Sequence, residues 1–384
     1  MRIGIITTKL NFETSGGSVM DIHFKAKGLV GLGHNVTVVT VFSLANNVTI
    51  KTPYQIREEY FKSRGLVGIQ LAVYRTIRKH EKDFDVIYID GHTFLYGAGM
   101  YRLISGQLPI VGFFGLRLNA WVDTPKSAKD YLRLWIERWF GVPLVNHIDA
   151  FIFSTPMIKK MYNDFGIGCR QSVVIENFVE TDKLSKRYNV TAESHTEKLN
   201  KNPKIILLAS GRMITEKGFN ILIEAVNLLS HKEKYKVVLC GNGPEANKLK
   251  ELVHSLKLDN LIEFPGWVQK GTLYSYLNSA NIFIFPSGRA EYGSVLLTEA
   301  MAFALPIIVP TGGALEWLTA GGANTFKPND PSDLARCIEL IAKDTKLQTK
   351  LSQKILSRAL ELDYKNLTKK LEATITEIAR PLFS

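Results

Sequence analysis

The stretch NIFIFPSGRAEYGSVLLTEAMA, residues 281–302, joins a strand to a helix through a short polar loop. Apart from Asn281, residues 281–285 are apolar and aromatic, which is typical of a buried strand. Pro286 and Gly288 break that strand, and a helix rich in Ala, Leu and Glu is predicted from about Ser294. A strand that leads into a helix is the repeating unit of an α/β fold, and the start of such a helix favours phosphate.

Two glutamates, Glu291 and Glu299, flank the predicted start of this helix. At a helical rise of 1.5 Å per residue they would lie roughly 10 Å apart. Carboxylates at that separation can accept hydroxyls from both ends of a nucleoside diphosphate sugar. An acidic loop followed by an ordinary surface helix would give the same pattern, so both interpretations stay open from this stretch alone.

Length and composition limit the class of protein. A chain of 384 residues is longer than the chains that usually fold around a single hydrophobic core, so we expect two domains. No apolar run reaches eighteen residues, which predicts no transmembrane helix. The chain opens on a strand-like segment, without the pattern of a signal peptide. Three scattered cysteines match neither a disulfide framework nor a metal site, so we expect a cytoplasmic protein.

The net charge of +12 fits an anionic partner, and it fits equally a basic surface that serves only solubility. Nucleic acid, an anionic membrane surface and a phosphorylated substrate all fit that charge. The sequence lacks zinc-finger spacing, an RNP-type aromatic motif and a basic zipper, so nucleic acid is the weakest of the three and is not expected as a partner.

The first half has the pattern of a nucleotide-binding domain. Strands are predicted at 3–7 and 36–41, with an amphipathic helix at about 18–32 between them. Such a unit implies a parallel sheet covered by helices, and apolar runs near 84–89, 109–112 and 150–153 continue it. Gly16 and Gly17 precede the helix. They allow the backbone to approach an acceptor or a sugar closely, and equally they form a flexible turn.

A polar segment without apolar periodicity separates this half from a second α/β pattern. The sequence therefore predicts an N-terminal acceptor-binding domain at 1–180, a linker at 181–203, a donor-binding domain at 204–362 and a C-terminal helix at 363–384 that packs back on the first domain. Both domains are expected to be Rossmann-like α/β/α layers with parallel sheets facing an interdomain cleft, where a ligand would bind.

A basic loop follows the first strand of the second half. Arg212 and Lys217 lie five residues apart, flanked by Gly211 and Gly218. A guanidinium fork and an ammonium at a strand–loop–helix corner can bind a diphosphate. A solvated basic loop would look the same, although the strand ends of an open sheet converge on the ligand site.

Several motifs occur in one order through the second half and resemble a known family. The sequence is similar to the retaining glycosyltransferases of the GT-B fold that carry an E-x7-E motif, known as family 4 or glycosyl transferases group 1. The resemblance is strong over residues 203–345 and looser over the first half. It rests on the segments GRMITEKG at 211–218, GNGPE at 241–245, FPG at 264–266, FPS at 285–287, EYGSVLLTE at 291–299, HNVTVVT at 34–40, DVI at 85–87 and IEN at 175–177.

The resemblance implies catalytic roles for Arg212, Lys217 and Glu291. Arg212 and Lys217 would hold the donor diphosphate and stabilise the departing nucleotide, and Glu291 would contact the transferred sugar. Glu299 would accept the ribose hydroxyls. The rest of the donor site would comprise Gly211, Gly241, Gly243, Gly266, Tyr292, Gly293 and Ser294.

The resemblance also implies an activity. It predicts a metal-independent, retaining hexosyltransferase without any cofactor, which uses a UDP- or GDP-sugar and a glycan or lipid-linked acceptor. Such an enzyme would serve the synthesis of a cell-surface polysaccharide or glycolipid. Metal independence follows because cations and a helix dipole can neutralise the leaving diphosphate.

The first half departs from the family pattern on the acceptor side. Phe114 stands where a histidine is expected, and Tyr88 and Asp90 replace two further histidines. His92 is either a substitute for the missing histidine or a structural loop residue. The acceptor-side candidates are therefore Gly16, Gly17, His92 and Phe114. A catalytically degenerate scaffold subunit and a nucleotide-sugar epimerase on the same fold remain alternatives.

One helix of the first half has an interfacial pattern. Leu132, Trp135, Ile136 and Trp139 share one face of the predicted helix at 131–140, beside Lys129, Arg133 and Arg138. A helix buried on the sheet with a charged outer face would look the same. With the basic cluster of Arg75, Arg78, Lys79 and Lys82, the pattern suggests peripheral attachment to the anionic inner face of the plasma membrane.

Overall fold

The computed structural model describes residues 1–13, 17–61, 65–91, 95–104, 106–118, 126–169, 171–194, 204–288 and 293–379. The chain divides into two compact units. Unit 1 comprises Met1–Val179 together with the segment from Tyr364, and unit 2 comprises Glu180–Asp363. Four predicted site residues, Gly16, His92, Glu291 and Tyr292, lie outside the described residues.

The described part of unit 1 contains a parallel sheet with the strand order β3-β2-β1-β4-β5-β6-β7. Its central strands are continuous apolar runs because helices cover both faces of the sheet. The strands are β1 (Arg2–Thr7), β2 (Asn35–Thr40), β3 (Gln55–Glu58), β4 (Val86–Asp90), β5 (Ile110–Phe114), β6 (Ala150–Phe153) and β7 (Gln171–Val174). The order reverses between β1 and β4, the point at which such sheets bind ligands.

Helices connect these strands. They are α1 (Gly17–Gly31), α2 (Leu66–His80), α3 (Leu95–Ile104), α4 (Ala128–Ile136), α5 (Val142–Val145) and α6 (Pro156–Asp164). A π-helical turn, Glu137–Gly141, joins α4 to α5, and a 3₁₀ turn occupies Ser43–Ala45.

Unit 2 repeats the architecture with the order β10-β9-β8-β11-β12-β13, again with parallel pairing. Its described strands are β8 (Ile205–Ser210), β9 (Tyr235–Cys240), β10 (Ile262–Gly266), β11 (Ile282–Ile284), β12 (Ile307–Pro310) and β13 (Asn324–Phe326). Its helices are α7 (Thr181–Arg187), α8 (Phe219–Leu228), α9 (Ala246–Ser255), α10 (Lys270–Ser279), α11 (Val295–Met301), α12 (Ala314–Thr319), α13 (Pro331–Lys343) and α14 (Thr345–Glu361). Short 3₁₀ turns lie at Thr215–Lys217 and Lys232–Lys234. The predicted fold class, two Rossmann-like α/β units with parallel sheets, is confirmed.

The segment predicted as a linker begins with a packed helix. Within unit 2, the Ser185 hydroxyl on α7 donates to the Ala302 carbonyl at 2.8 Å. The Tyr188 ring lies 5.0 Å from that of Phe303. Polar composition concealed this helix because Thr181 and Ser185 are buried through hydrogen bonds and not through apolar side chains.

The last described helix, α15 (Tyr364–Ala379), packs against α1 of unit 1. The rings of Phe24 and Tyr364 stack at 5.2 Å. A Cβ atom on Gly28 would lie 2.0 Å from the Thr368 hydroxyl, so the two helices approach closely there. The C-terminal segment is thus part of the unit 1 core.

Candidate functional site

The loops that follow β8 and β9 in unit 2 are joined by backbone contacts. The Gly211 N–H donates to the Cys240 carbonyl at 3.0 Å, and the Met213 N–H donates to the Asn242 carbonyl at 2.9 Å. A Cβ atom on Gly241 would lie 1.9 Å from the Gly211 carbonyl oxygen. Glycine at 241 is therefore required by the close approach, and the two loops form one rigid corner.

The same corner extends to the end of β10. The Gly241 N–H donates to the Gly266 carbonyl at 2.8 Å, and the Gly243 N–H donates to the Asn242 Oδ1 atom at 2.8 Å. Gly211, Gly241 and Gly266 thus lie at the carboxyl ends of three neighbouring strands, β8, β9 and β10. This is the edge where open α/β sheets bind ligands.

Arg212 and Lys217 lie on the loop after β8, as predicted. Arg212 is exposed, and its guanidinium makes no hydrogen bond or ion pair with another described residue. Lys217 is half-buried at the end of a 3₁₀ turn. The next residue, Gly218, has φ of +64°, and a Cβ atom there would lie 2.1 Å from the Pro286 carbonyl oxygen. This contact fixes the basic loop against the end of β11.

The helix predicted from about Ser294 begins at Val295. Ser294 is its N-cap, and the Ser294 hydroxyl accepts the Leu297 N–H at 3.2 Å. Because Glu291 and Tyr292 are outside the described residues, the predicted donor cradle at 292–294 is described only at Gly293 and Ser294.

Glu299 is buried on α11, with 4% of its surface exposed. Its Oε1 atom lies 2.6 Å from the Lys270 ammonium and accepts the Tyr274 hydroxyl at 3.0 Å. Burial and the negative charge of Glu299 raise the pKa of Tyr274, which keeps that hydroxyl a donor. Both contacts, with Lys270 and with Tyr274, are made by the Oε1 atom.

Sequence reasoning missed Lys270 and Tyr274. Both lie on α10, four positions apart, so they project from the same helix face. That spacing is visible in the sequence, but the approach of α10 to α11 is not, because it depends on how both helices pack on the sheet.

In unit 1 the structure places Phe114 in the core. Its ring is 1% exposed, stacks on Phe153 at 5.1 Å and lies 4.3 Å from the ring of Tyr162. Gly17 is the first residue of α1. The strand position at which the resemblance implies a histidine is therefore filled by an aromatic core side chain.

A buried group of charges lies beside the carboxyl end of β4. Lys25 on α1 forms an ion pair with Asp21, and both side chains are almost fully buried. The Lys25 ammonium lies 3.5 Å from the centre of the Phe113 ring. Burial raises the pKa of Asp90, the last residue of β4, to about 6, and the Lys25 charge partly offsets that rise. The i, i+4 spacing of Asp21 and Lys25 was the only sequence signal for this group.

Two features of the described residues bear on the sequence predictions. No helix in them combines the length and the apolar character needed to cross a bilayer. No group of three or more His, Cys, Asp or Glu side chains comes together in them as a metal site would require. Metal independence of the reaction stays a prediction.

Two family profiles match the chain one after the other. Glycosyltransferase Family 4 matches residues 15–183, and Glycosyl transferases group 1 matches residues 191–358. The fold is therefore that of the GT-B glycosyltransferases. The chain belongs to the family 4, or group 1, glycosyltransferases, enzymes that transfer a sugar.

Individual relatives agree with this assignment. An uncharacterized glycosyltransferase of Methanocaldococcus jannaschii is 25% identical over 377 residues, 90% of each chain. Alpha-monoglucosyldiacylglycerol synthase of Streptococcus pneumoniae is 25% identical over 80% of this chain and 70% of its own. Among solved structures, HepE of Anabaena in complex with UDP has a TM-score of 0.74 and 17% identity, covering 98% of this chain and 100% of its own. That likeness shows the shared fold.

Proposed function

We propose that the protein is a retaining hexosyltransferase that uses a nucleoside diphosphate sugar, UDP- or GDP-linked. The observation that carries the proposal is the basic loop of unit 2, where Arg212 and Lys217 are held at the strand ends by contacts at Gly241 and Gly218. HepE, which has the same fold, has been solved with UDP and with UDP-glucose.

In this proposal the cations of the loop bind the donor diphosphate. As the bond between the anomeric carbon and the phosphate oxygen breaks, Arg212 and Lys217 neutralise the charge that develops on the departing nucleotide. The oxygen of the acceptor hydroxyl then bonds to the same face of the anomeric carbon, so that carbon retains its configuration. The hydroxyl proton passes to the departing diphosphate oxygen. No metal ion is needed in this scheme because the protein supplies the positive charge.

Glu299 is proposed to bind the ribose. Its Oε2 atom can accept a ribose hydroxyl while Oε1 stays with Lys270 and Tyr274. The two partners hold the carboxylate in one orientation and balance its charge, so the ribose meets a preorganised acceptor. Glu291 is proposed to contact the transferred sugar, with the backbone of Tyr292 beside it.

The acceptor is proposed to be a glycan or a lipid-linked molecule bound by unit 1, with Gly16, Gly17 and His92 as candidate contacts. The name of the Streptococcus pneumoniae relative states a lipid product for that protein. We propose peripheral attachment to the inner face of the plasma membrane and a role in polysaccharide or glycolipid synthesis. In the basic cluster near α2, Arg78 forms an ion pair with Glu81, and Lys79 forms one with Glu59. We therefore propose that other residues provide most of the binding to the membrane.

A thermal-shift screen of UDP-, GDP- and ADP-sugars tests the proposal, because a ligand at a hundred times its Kd adds about 2.7 kcal/mol of stability. We expect one class of nucleotide sugar to raise the melting temperature and to be hydrolysed slowly by the native protein. Binding without any turnover would favour the scaffold alternative, and release of an altered free sugar would favour the epimerase. If none of the nucleotide sugars binds, the proposal fails.

A further inference from the structure

Helix α4 and the π-helical turn after it expose a continuous apolar stripe. No residue of α4 is buried. The interpretation of this segment as a helix buried on the sheet is therefore wrong. The exposed stripe consists of six side chains that are each 43–67% exposed: Tyr131, Leu132, Trp135, Ile136, Trp139 and Phe140.

The local sequence stabilises the helix that carries the exposed stripe. Ser127 and Asp130 form a reciprocal capping box at its start. Helix α5, which follows the π-helical turn, is fixed to unit 1, because a Cβ atom on Gly99 would lie only 1.9 Å from the Leu144 carbonyl oxygen. A capped helix with a firmly packed C-terminal neighbour holds the exposed stripe in place without burying it.

Basic side chains surround the exposed stripe. Lys126, Lys129, Arg133 and Arg138 are all exposed. Of the two acidic residues in this segment, Asp130 is engaged in the capping box. Burial raises the pKa of the other, Glu137, to about 7, which weakens its negative charge near neutral pH. The outward face is thus apolar at its centre and cationic at its edges.

This combination matches an anionic bilayer. Tryptophan and tyrosine favour the boundary between headgroups and acyl chains, and apolar side chains beside them enter the acyl region. Each basic residue near an anionic surface adds roughly fivefold to binding. A symmetric dimer through the same surface would bring these like charges together, which disfavours a second copy as the occupant.

We propose that the exposed stripe inserts into the interfacial region of an anionic membrane, with the surrounding lysines and arginines on the lipid phosphates. The inference rests on the peripheral attachment proposed above, and it identifies the surface and the lipid chemistry involved. It does not depend on which sugar nucleotide the enzyme uses.

Flotation of the full-length protein with lipid vesicles tests the inference. We expect the native protein to bind vesicles that contain phosphatidylglycerol and to bind pure phosphatidylcholine at least tenfold more weakly, roughly the effect of two basic contacts. The double variant Trp135→Ser, Trp139→Ser should lose at least tenfold in binding to the anionic vesicles, a rough figure for two interfacial aromatics. Trp267→Ser is the matched control, because Trp267 is 68% exposed in unit 2 and should leave binding unchanged.

Quenching by acyl-brominated phosphatidylglycerol supplies a second readout. Tryptophan fluorescence of the native protein should be quenched by these lipids, and the double variant should lose most of that quenching. Equal flotation of the native protein and the double variant would overturn the inference. So would a native dimer that the same double variant converts to monomers in the absence of lipid. Donor binding, measured separately by thermal shift, should be the same in the native protein and the double variant, which keeps this test distinct from that of the catalytic proposal.

Discussion

Lys270 and Glu299 form the ion pair that balances the charge of the predicted ribose-binding carboxylate. Because Glu299 is buried, removing the Lys270 ammonium leaves an uncompensated charge. The Lys270 side chain is 46% exposed, so water replaces part of the lost interaction. We expect Lys270→Met to lower the free energy of unfolding by about 1–2 kcal/mol, less than for a fully buried pair.

Urea unfolding measures that loss, and the double variant Lys270→Met, Glu299→Gln is the control. Without a charge at position 299, the lysine substitution should cost far less than it does alone. If the cost is the same in both backgrounds, the ion pair is not the cause.

Asp90 gives a prediction of pH dependence. Its folded pKa of about 6 lies above the ordinary aspartate value, so the folded protein holds this proton more tightly than the unfolded chain. The stability that this provides is present at pH below about 4 and is lost as pH rises through 6. Asp90→Asn removes the cost of burying the ionised carboxylate near Asp21. We expect the free energy of unfolding to rise by up to about 3 kcal/mol at pH 8, with little change at pH 4.

Chemical unfolding of the native and Asp90→Asn proteins at the two pH values checks the prediction. Asp164→Asn serves as the control because the Asp164 side chain is 63% exposed. A stability gain of equal size at pH 4 and pH 8 would show that ionisation of Asp90 has no part in it.

At the residue scale, the sequence showed the basic loop but not the partners of the buried charges. Arg212 and Lys217 lie in one contiguous motif between glycines, so their local role was visible. Lys270 meets Glu299, and Lys25 approaches Asp90, only after helices pack on the sheets. Pairings of this kind depend on distances in the folded chain.

At the scale of elements, every predicted strand is present, including those that the apolar runs of the second half predict at 204–210, 236–240, 261–264 and 306–309. The missed strands are edge strands. The sequence did not indicate β3, β7 or β13, which end the strand orders of the two sheets. Edge strands have only one neighbour and are shorter and less buried, so they lack the continuous apolar run of a central strand. The exposed and intermediate burial of β3 and β7 agrees with this reason.

The close contact between the loops after β8 and β9 predicts that a methyl group added at Gly241 destabilises the protein. Gly241→Ala would force its Cβ atom against the Gly211 carbonyl oxygen and displace the corner that carries Arg212. We expect the variant to lose about 2 kcal/mol or more of stability, as for a strained backbone site, together with donor affinity.

Melting temperature and donor thermal shift measure these two effects. Gly271→Ala on α10 is the matched control, since its added Cβ would lie within 4 Å of no atom beyond its chain neighbours and its own helix backbone. That control should be neutral or stabilised by roughly 0.5–1 kcal/mol, because alanine suits a helix better. Native-like behaviour of Gly241→Ala would refute the close approach.

At the scale of the whole molecule, the alternation of strands and helices was sufficient to predict two parallel α/β units. The pattern restarts after the polar segment near residue 190, and both sheets show the central reversal that follows from right-handed connections. The order of strands could not be derived from their sequences, because each central strand is apolar in the same way. The donor-site residues were predicted from the resemblance to the family. Because Phe114 lies in an aromatic core, the residues that bind the acceptor have to be identified by experiment.

The most direct test of the proposed function is the rate of nucleotide release from the preferred donor by Arg212→Ala. Removing one charge-stabilising group should reduce turnover by about 10²–10³-fold. Lys250→Ala is the control, because Lys250 is an exposed cation on α9 of the same unit and should keep the native rate. A native-like rate for Arg212→Ala would contradict the assignment of the donor diphosphate to the basic loop.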